Sequence, residues 1–255
     1  KIMPMPRSIK VFFILLAVIF ISYQYSGCSD DLLGTGGVTT PMFGGYDQGE
    51  AGVMMTLSAL CYVAEGSTNA LQIRDSINLQ LADSNYSTGG DWEVCWGPGV
   101  SPTGDNLLYM AVDSTGDSLK YAICVRGTVF NFANIVEDIE VWDMEKWPYS
   151  GGGDSVALGS LKGLDTLLNT TDPLTFLSLQ SYLNTLNAPK QKMFITGHSL
   201  GGAMATLITK WFLDLGFTSK FKLETYTFAA PTVGNISFVG TYHSQMTASG
   251  SESHR

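Results

Sequence analysis

The sequence predicts an α/β fold built on a mostly parallel sheet, and three observations carry that expectation. The 255 residues are 45% hydrophobic and 15% charged, enough to bury one sizeable core. In the second half, short apolar runs alternate with stretches of helical periodicity, an order that lays parallel strands side by side with helices on both faces. One run, Lys192-Met193-Phe194-Ile195-Thr196, leads through a glycine-flanked turn straight into a helix start at Gly201-Gly202-Ala203.

The elements follow in order. Lys1, Arg7 and Lys10 precede an unbroken apolar run over 11–21, the pattern of a signal peptide over 1–27 and too short for a transmembrane helix of about 20 residues. Ser26-Gly27-Cys28 resembles the end of a lipobox, which makes Cys28 the expected lipidation site of a bacterial lipoprotein; ordinary secretion and an uncleaved anchor are the alternatives. A Gly- and Thr-rich stretch makes 28–46 a tether.

Apolar spacing then predicts helices over 50–65 and 70–82 and strands over 92–96, 107–112 and 120–126. Asp113-Ser114-Thr115-Gly116-Asp117 is turn chemistry and makes the last two an antiparallel hairpin. Helices are expected over 156–168 and 174–186, a strand over 192–196, a helix over 201–215 and a strand over 222–228. The folded domain is expected over 47–240, with a polar tail over 241–255.

Composition excludes several function classes. The net charge is −9, and loss of 27 leader residues would make it −12, so nucleic acid is not an expected partner. Cys61, Cys95 and Cys124 form no Cys-x-x-Cys pair and have no histidine beside them, so neither a metal site nor a cofactor is expected. One disulfide among the three is left open, and Cys124 in Tyr121-Ala122-Ile123-Cys124-Val125 reads as a small core residue.

The chemistry concentrates at Gly197-His198-Ser199-Leu200-Gly201. A Gly-x-Ser-x-Gly match is weak by itself in a chain with 28 glycines; its place between a strand and a helix is what makes it a nucleophile elbow. Such a turn strains the serine backbone, and a Cβ at 197 or 201 would collide with the neighbouring strand and helix. Ser199 is therefore the expected nucleophile, near a helix N-terminus whose free N–H groups favour developing negative charge. His198 is expected beside the site, since adjacent side chains on a tight turn point apart and a base must approach from across the pocket.

Gly197-His198-Ser199-Leu200-Gly201-Gly202-Ala203 resembles the elbow of the class 3, fungal-type lipases of the α/β-hydrolase superfamily. Val125-Arg126-Gly127-Thr128 resembles that family's Arg-Gly-Ser/Thr segment, and Asn134-Ile135-Val136-Glu137-Asp138-Ile139 the pattern that follows it. Phe228-Ala229-Ala230-Pro231-Thr232-Val233-Gly234-Asn235 resembles its Gly-Ala-Pro-Arg-Val-Gly-Asn strand end, with Thr232 departing from arginine. The resemblance implies an oxyanion hole from Thr128 and the Leu200 N–H, attack by Ser199 on a lipid or other small ester, and an acyl-serine intermediate. It also implies a lid over 130–149, where Phe132, Trp142, Trp147 and Tyr149 stand; an aromatic cluster packed on the core is the alternative.

In that family an Asp and then a His follow further along, and no residue here is assigned to either role. Asp214 lies about 22 Å along the helix from Ser199, Glu224 begins its strand, and neither His243 nor Glu252 with His254 falls in a recognisable setting. The expectation is a domain lacking its C-terminal strand or strands, hence with an open sheet edge and marginal stability. A surface lipoprotein that keeps the fold as a non-catalytic binding module is the alternative function.

Overall fold

A computed structural model describes residues 45–127, 143–186 and 191–255. The expected leader, Cys28, Thr128, Phe132 and Trp142 lie outside the described residues. Residues 47–255 form one compact unit.

Two helices come first, α1 (Gln48–Leu60) and α2 (Ala70–Leu81). Each starts where a side chain satisfies an orphan helix donor: Asp47 accepts the Glu50 N–H at 2.8 Å and Asn69 that of Gln72 at 3.1 Å. The strands β1 (Trp92–Val100), β2 (Leu107–Asp113) and β3 (Lys120–Val125) form an antiparallel meander, with the expected hairpin between the last two. β1 runs four residues past its expected end, because the Asp172 carboxylate accepts the Gly97 N–H at 2.6 Å where the ladder register shifts.

A small antiparallel pair, β4 (Met144–Lys146) and β5 (Ser155–Ala157), precedes α3 (Leu158–Leu168) and α4 (Leu179–Thr185). Both helices are shorter than their periodicity suggested, since residues 155–157 pair as a strand and Asp172 ties residues 172–175 into a turn. Then follow β6 (Gln191–His198), α5 (Leu200–Asp214) and β7 (Phe221–Phe228). The main sheet runs β1-β2-β3-β6-β7 and ends on β8 (Glu252–His254), with β3, β6, β7 and β8 mutually parallel.

The expected tail over 241–255 is corrected by the structure. Residues 236–249 form a helix, α6 (Ile236–Ser249), and 252–254 pair in parallel with Glu224–Tyr226 of β7 as β8. Asn235 caps α6 through the Phe238 N–H at 2.9 Å, and Gly250 ends it in the left-handed conformation. The helix buries only Phe238 and Met246, too sparse a stripe to announce itself.

Alternate residues of each strand face opposite layers. Leu108, Met110, Ile123 and Ile195 pack with α3, α4, α5 and α6; Leu107, Tyr109, Ala111, Cys124 and Phe194 pack with α1 and α2. Cys61, Cys95 and Cys124 are all free thiols, and Cys124 is a fully buried core residue. Trp147 is also fully buried, edge-on to Phe238 at 5.5 Å, so this part of the aromatic segment is core and not a cover.

Candidate active site

The site is built where β6 turns into α5. Ser199 sits between them with φ 56° and ψ −127°, a backbone conformation that costs a residue with a Cβ on the order of 1–3 kcal/mol. Close approach enforces it. A Cβ at Gly197 would overlap the carbonyl of Gly201, and one at Gly201 would overlap the Val125 carbonyl and stand 2.7 Å from the Gly127 nitrogen. At Gly202 it would meet the Ala230 Cβ at 2.7 Å. The turn is thus pressed between the ends of β3 and β7, and the Ser199 N–H donates to the Phe228 carbonyl at 2.8 Å.

This places Ser199, half-buried, at the C-terminal edge of the parallel strands and at the mouth of α5. Its hydroxyl makes no capping bond to the helix. The N–H groups of Gly202 and Ala203 already reach back to the Ser199 carbonyl, at 2.9 and 3.2 Å. Those of Leu200 and Gly201 precede the first intrahelical bond, so the helix itself leaves them available to an anion.

The other expected site residues divide clearly. Gly197, Leu200 and Gly201 gather around Ser199, while the side chain of His198 lies at the surface, its pKa held below the ordinary histidine value by partial desolvation. His243 is exposed on α6. His254 stacks on the Tyr226 ring at 4.6 Å and lies 3.7 Å from the Glu252 carboxylate, with burial holding its pKa below the usual value. Asp214 stands at the far end of α5, bound to Lys210 and Trp147, and Glu224 pairs with Lys192 at 3.0 Å near the start of β7.

The sequence reading missed Tyr62. It follows α1 without any motif to mark it, yet its hydroxyl accepts the Gly127 N–H at 3.1 Å, one residue before Thr128. Among the described residues, no group of three or more His, Cys, Asp or Glu side chains is arranged to hold a metal. Nor is any helix among them long and apolar enough to cross a membrane.

A strained serine turn pressed between parallel strands and the N-terminus of a helix is the nucleophile-elbow geometry of an α/β-hydrolase. The family described as Lipase (class 3) matches residues 122–254, slightly more than half of the chain, and the chain belongs to that family. Lipase ZK262.3 of Caenorhabditis elegans is 32% identical to it over 79 residues, 31% of this chain and 22% of that protein. Among solved structures, M37 lipase superposes with a TM-score of 0.66 at 24% identity, covering 82% of this chain and 66% of that one. The lipase from Rhizopus microsporus var. chinensis does so with a TM-score of 0.52 at 20% identity, covering 77% and 61%. The matches thus span less than two thirds of each relative's length, and the two structural likenesses concern the fold.

Proposed function

We propose that this chain is a lipase-type carboxylester hydrolase that works through an acyl-serine intermediate on Ser199. The observation that carries the proposal is the strained Ser199 turn, whose hydroxyl makes no capping bond and stands beside the Leu200 and Gly201 N–H groups, which precede the first intrahelical bond. In the reaction, Ser199 Oγ gives up its proton and bonds to the ester carbonyl carbon, and the Leu200 N–H with Thr128 stabilises the charge on the carbonyl oxygen. The alcohol leaves carrying that proton, and water then attacks the acyl-serine, releasing the acid and restoring the Ser199 hydroxyl. One such oxyanion donor is typically worth about 10²- to 10³-fold in rate.

The substrate is a lipid or other small ester, met at the cell envelope or surface, to which export, or a lipid on Cys28, delivers the protein. Nucleic acid has no part in this reading, because a chain of net charge −9 repels phosphate. Hydrolysis of short-chain nitrophenyl esters by the chain and by Ser199→Ala is the test. Slow turnover that vanishes in the variant is expected; equal rates in both would refute the proposal.

A second reading is a non-catalytic module that keeps the fold to bind an ester or lipid. It is favoured by one observation: the side chains of His198 and His243 are exposed, and the His254 ring is stacked on Tyr226 of β7. Ligand binding without Ser199-dependent turnover would select it.

A further inference from the structure

We propose that Tyr62 is a positioning residue for the reaction at Ser199: by accepting the Gly127 N–H, its hydroxyl oxygen fixes the backbone leaving β3 against the elbow. The inference rests on the hydrolase reading and adds to it a residue that belongs to neither the elbow nor the strand ends.

Helix α1 is held at a fixed height on the sheet by two buried hydroxyls. Thr196 of β6 donates to the Met54 carbonyl at 3.2 Å, and Tyr109 of β2 donates to the Leu57 carbonyl at 2.6 Å. With the helix pinned to two strands, the turn after Leu60 delivers Tyr62 to the one place where β3 and the elbow meet. The point where a Cβ of residue 127 would stand is 2.6 Å from the His198 carbonyl, 2.7 Å from Tyr62 Oη and 3.0 Å from the Gly201 nitrogen. Glycine at 127 is therefore a condition for three groups to converge, and Tyr62 Oη is one of them.

The Gly127 N–H falls just beyond the last β3 ladder residue, Val125, so no strand partner is set for it. The Tyr62 hydroxyl oxygen satisfies it at 3.1 Å, and burial pushes the phenol's pKa up to about 12. A one-sided bond of this kind sets the direction in which the chain leaves the sheet. Without it the exit of β3 is free to rotate away from Ser199, and the donors that surround the nascent oxyanion lose their common focus.

The test compares the full chain with Tyr62→Phe and with Tyr86→Phe, which loses a surface hydroxyl bonded to Gln80 at 2.9 Å. Two quantities are read: hydrogen exchange at the Gly127 amide, with the Ile195 amide of β6 as the folding reference, and the rate at which a fluorophosphonate labels Ser199. In Tyr62→Phe, Gly127 exchange is expected to rise about tenfold and labelling to slow about tenfold, with Ile195 exchange unchanged. Tyr86→Phe should match the parent in all three. Unchanged Gly127 exchange overturns the proposal, as does labelling that slows equally in both variants. If Ser199 is not labelled even in the parent, the hydrolase reading fails, and the exchange arm still decides whether Tyr62 holds Gly127.

Discussion

The two ends of α5 are held by opposite kinds of force. At Ser199 the helix begins without a side-chain hydrogen bond, and backbone atoms pressed against Gly197, Gly201 and Gly202 define the geometry. At Asp214 it ends in a buried polar clamp. Lys210, fully buried, contacts both Asp214 oxygens at 2.7 Å and Asp154 at 3.8 Å, while Trp147 and Gln245 donate to Asp214 and Ser150, Ser237 and Thr241 to Asp154. The turn at Ser199 is fixed by shape and leaves the first N–H groups of α5 outside the intrahelical ladder. The clamp spends its donors on Asp154 and Asp214, and so ties α6 and residues 147–154 to the end of α5.

The largest expected effect comes from breaking the clamp. Lys210→Met leaves two buried carboxylates facing each other, and a loss of about 3–5 kcal/mol in denaturant-derived stability is expected. Next is the elbow: Gly201→Ala drives a Cβ into the Val125 carbonyl and should cost about 3 kcal/mol, together with all Ser199-dependent activity. If Gly201→Ala kept activity while Lys210→Met abolished it without unfolding, the division of labour along α5 would be wrong.

A smaller effect follows from pH. Burial alone would raise the pKa of Asp172, but the N–H groups of Thr175, Gly97 and Leu174 and the Thr175 hydroxyl bring it below the ordinary 3.8; Asp154 is lowered likewise, against its burial, by three hydroxyls and Lys210. Folded-state pKa values depressed below the unfolded ones contribute stability that is present above the unfolded value and lost as pH falls through the folded ones. Melting temperature should therefore drop below about pH 4, and Asp172→Asn should flatten that part of the profile while lowering stability at neutral pH. Smallest is Gly240→Ala, in the open face of α6 with nothing within 4 Å of the added methyl, expected to gain about 1 kcal/mol by chemical denaturation.

The same contrast explains what could be read in the sequence. Gly197, Ser199 and Gly201 lie within five residues of each other between a strand and a helix, so a local strand-turn-helix pattern exposes them even though the groups pressed against them come from β3 and β7. The strands within 107–126, 192–196 and 222–228 were legible as well, because short, near-continuous apolar runs report strands covered on both faces. Tyr62 meets Gly127 across 65 positions, and Asp154 meets Thr241 across 87; no spacing rule reaches that far. β8, three polar residues joined to β7 by a parallel ladder, leaves no apolar pattern, and α6 hides because Phe238 and Met246 are its only buried apolar side chains.

The central claim is that the Ser199 turn makes this serine reactive, and covalent labelling tests it most directly. The full chain, treated with a fluorophosphonate and digested with trypsin, should carry one adduct, on Ser199 in the peptide of residues 193–210, and none in Ser199→Ala. An intact parent chain whose adduct falls on other serines, or that takes up no adduct at all, would contradict the account.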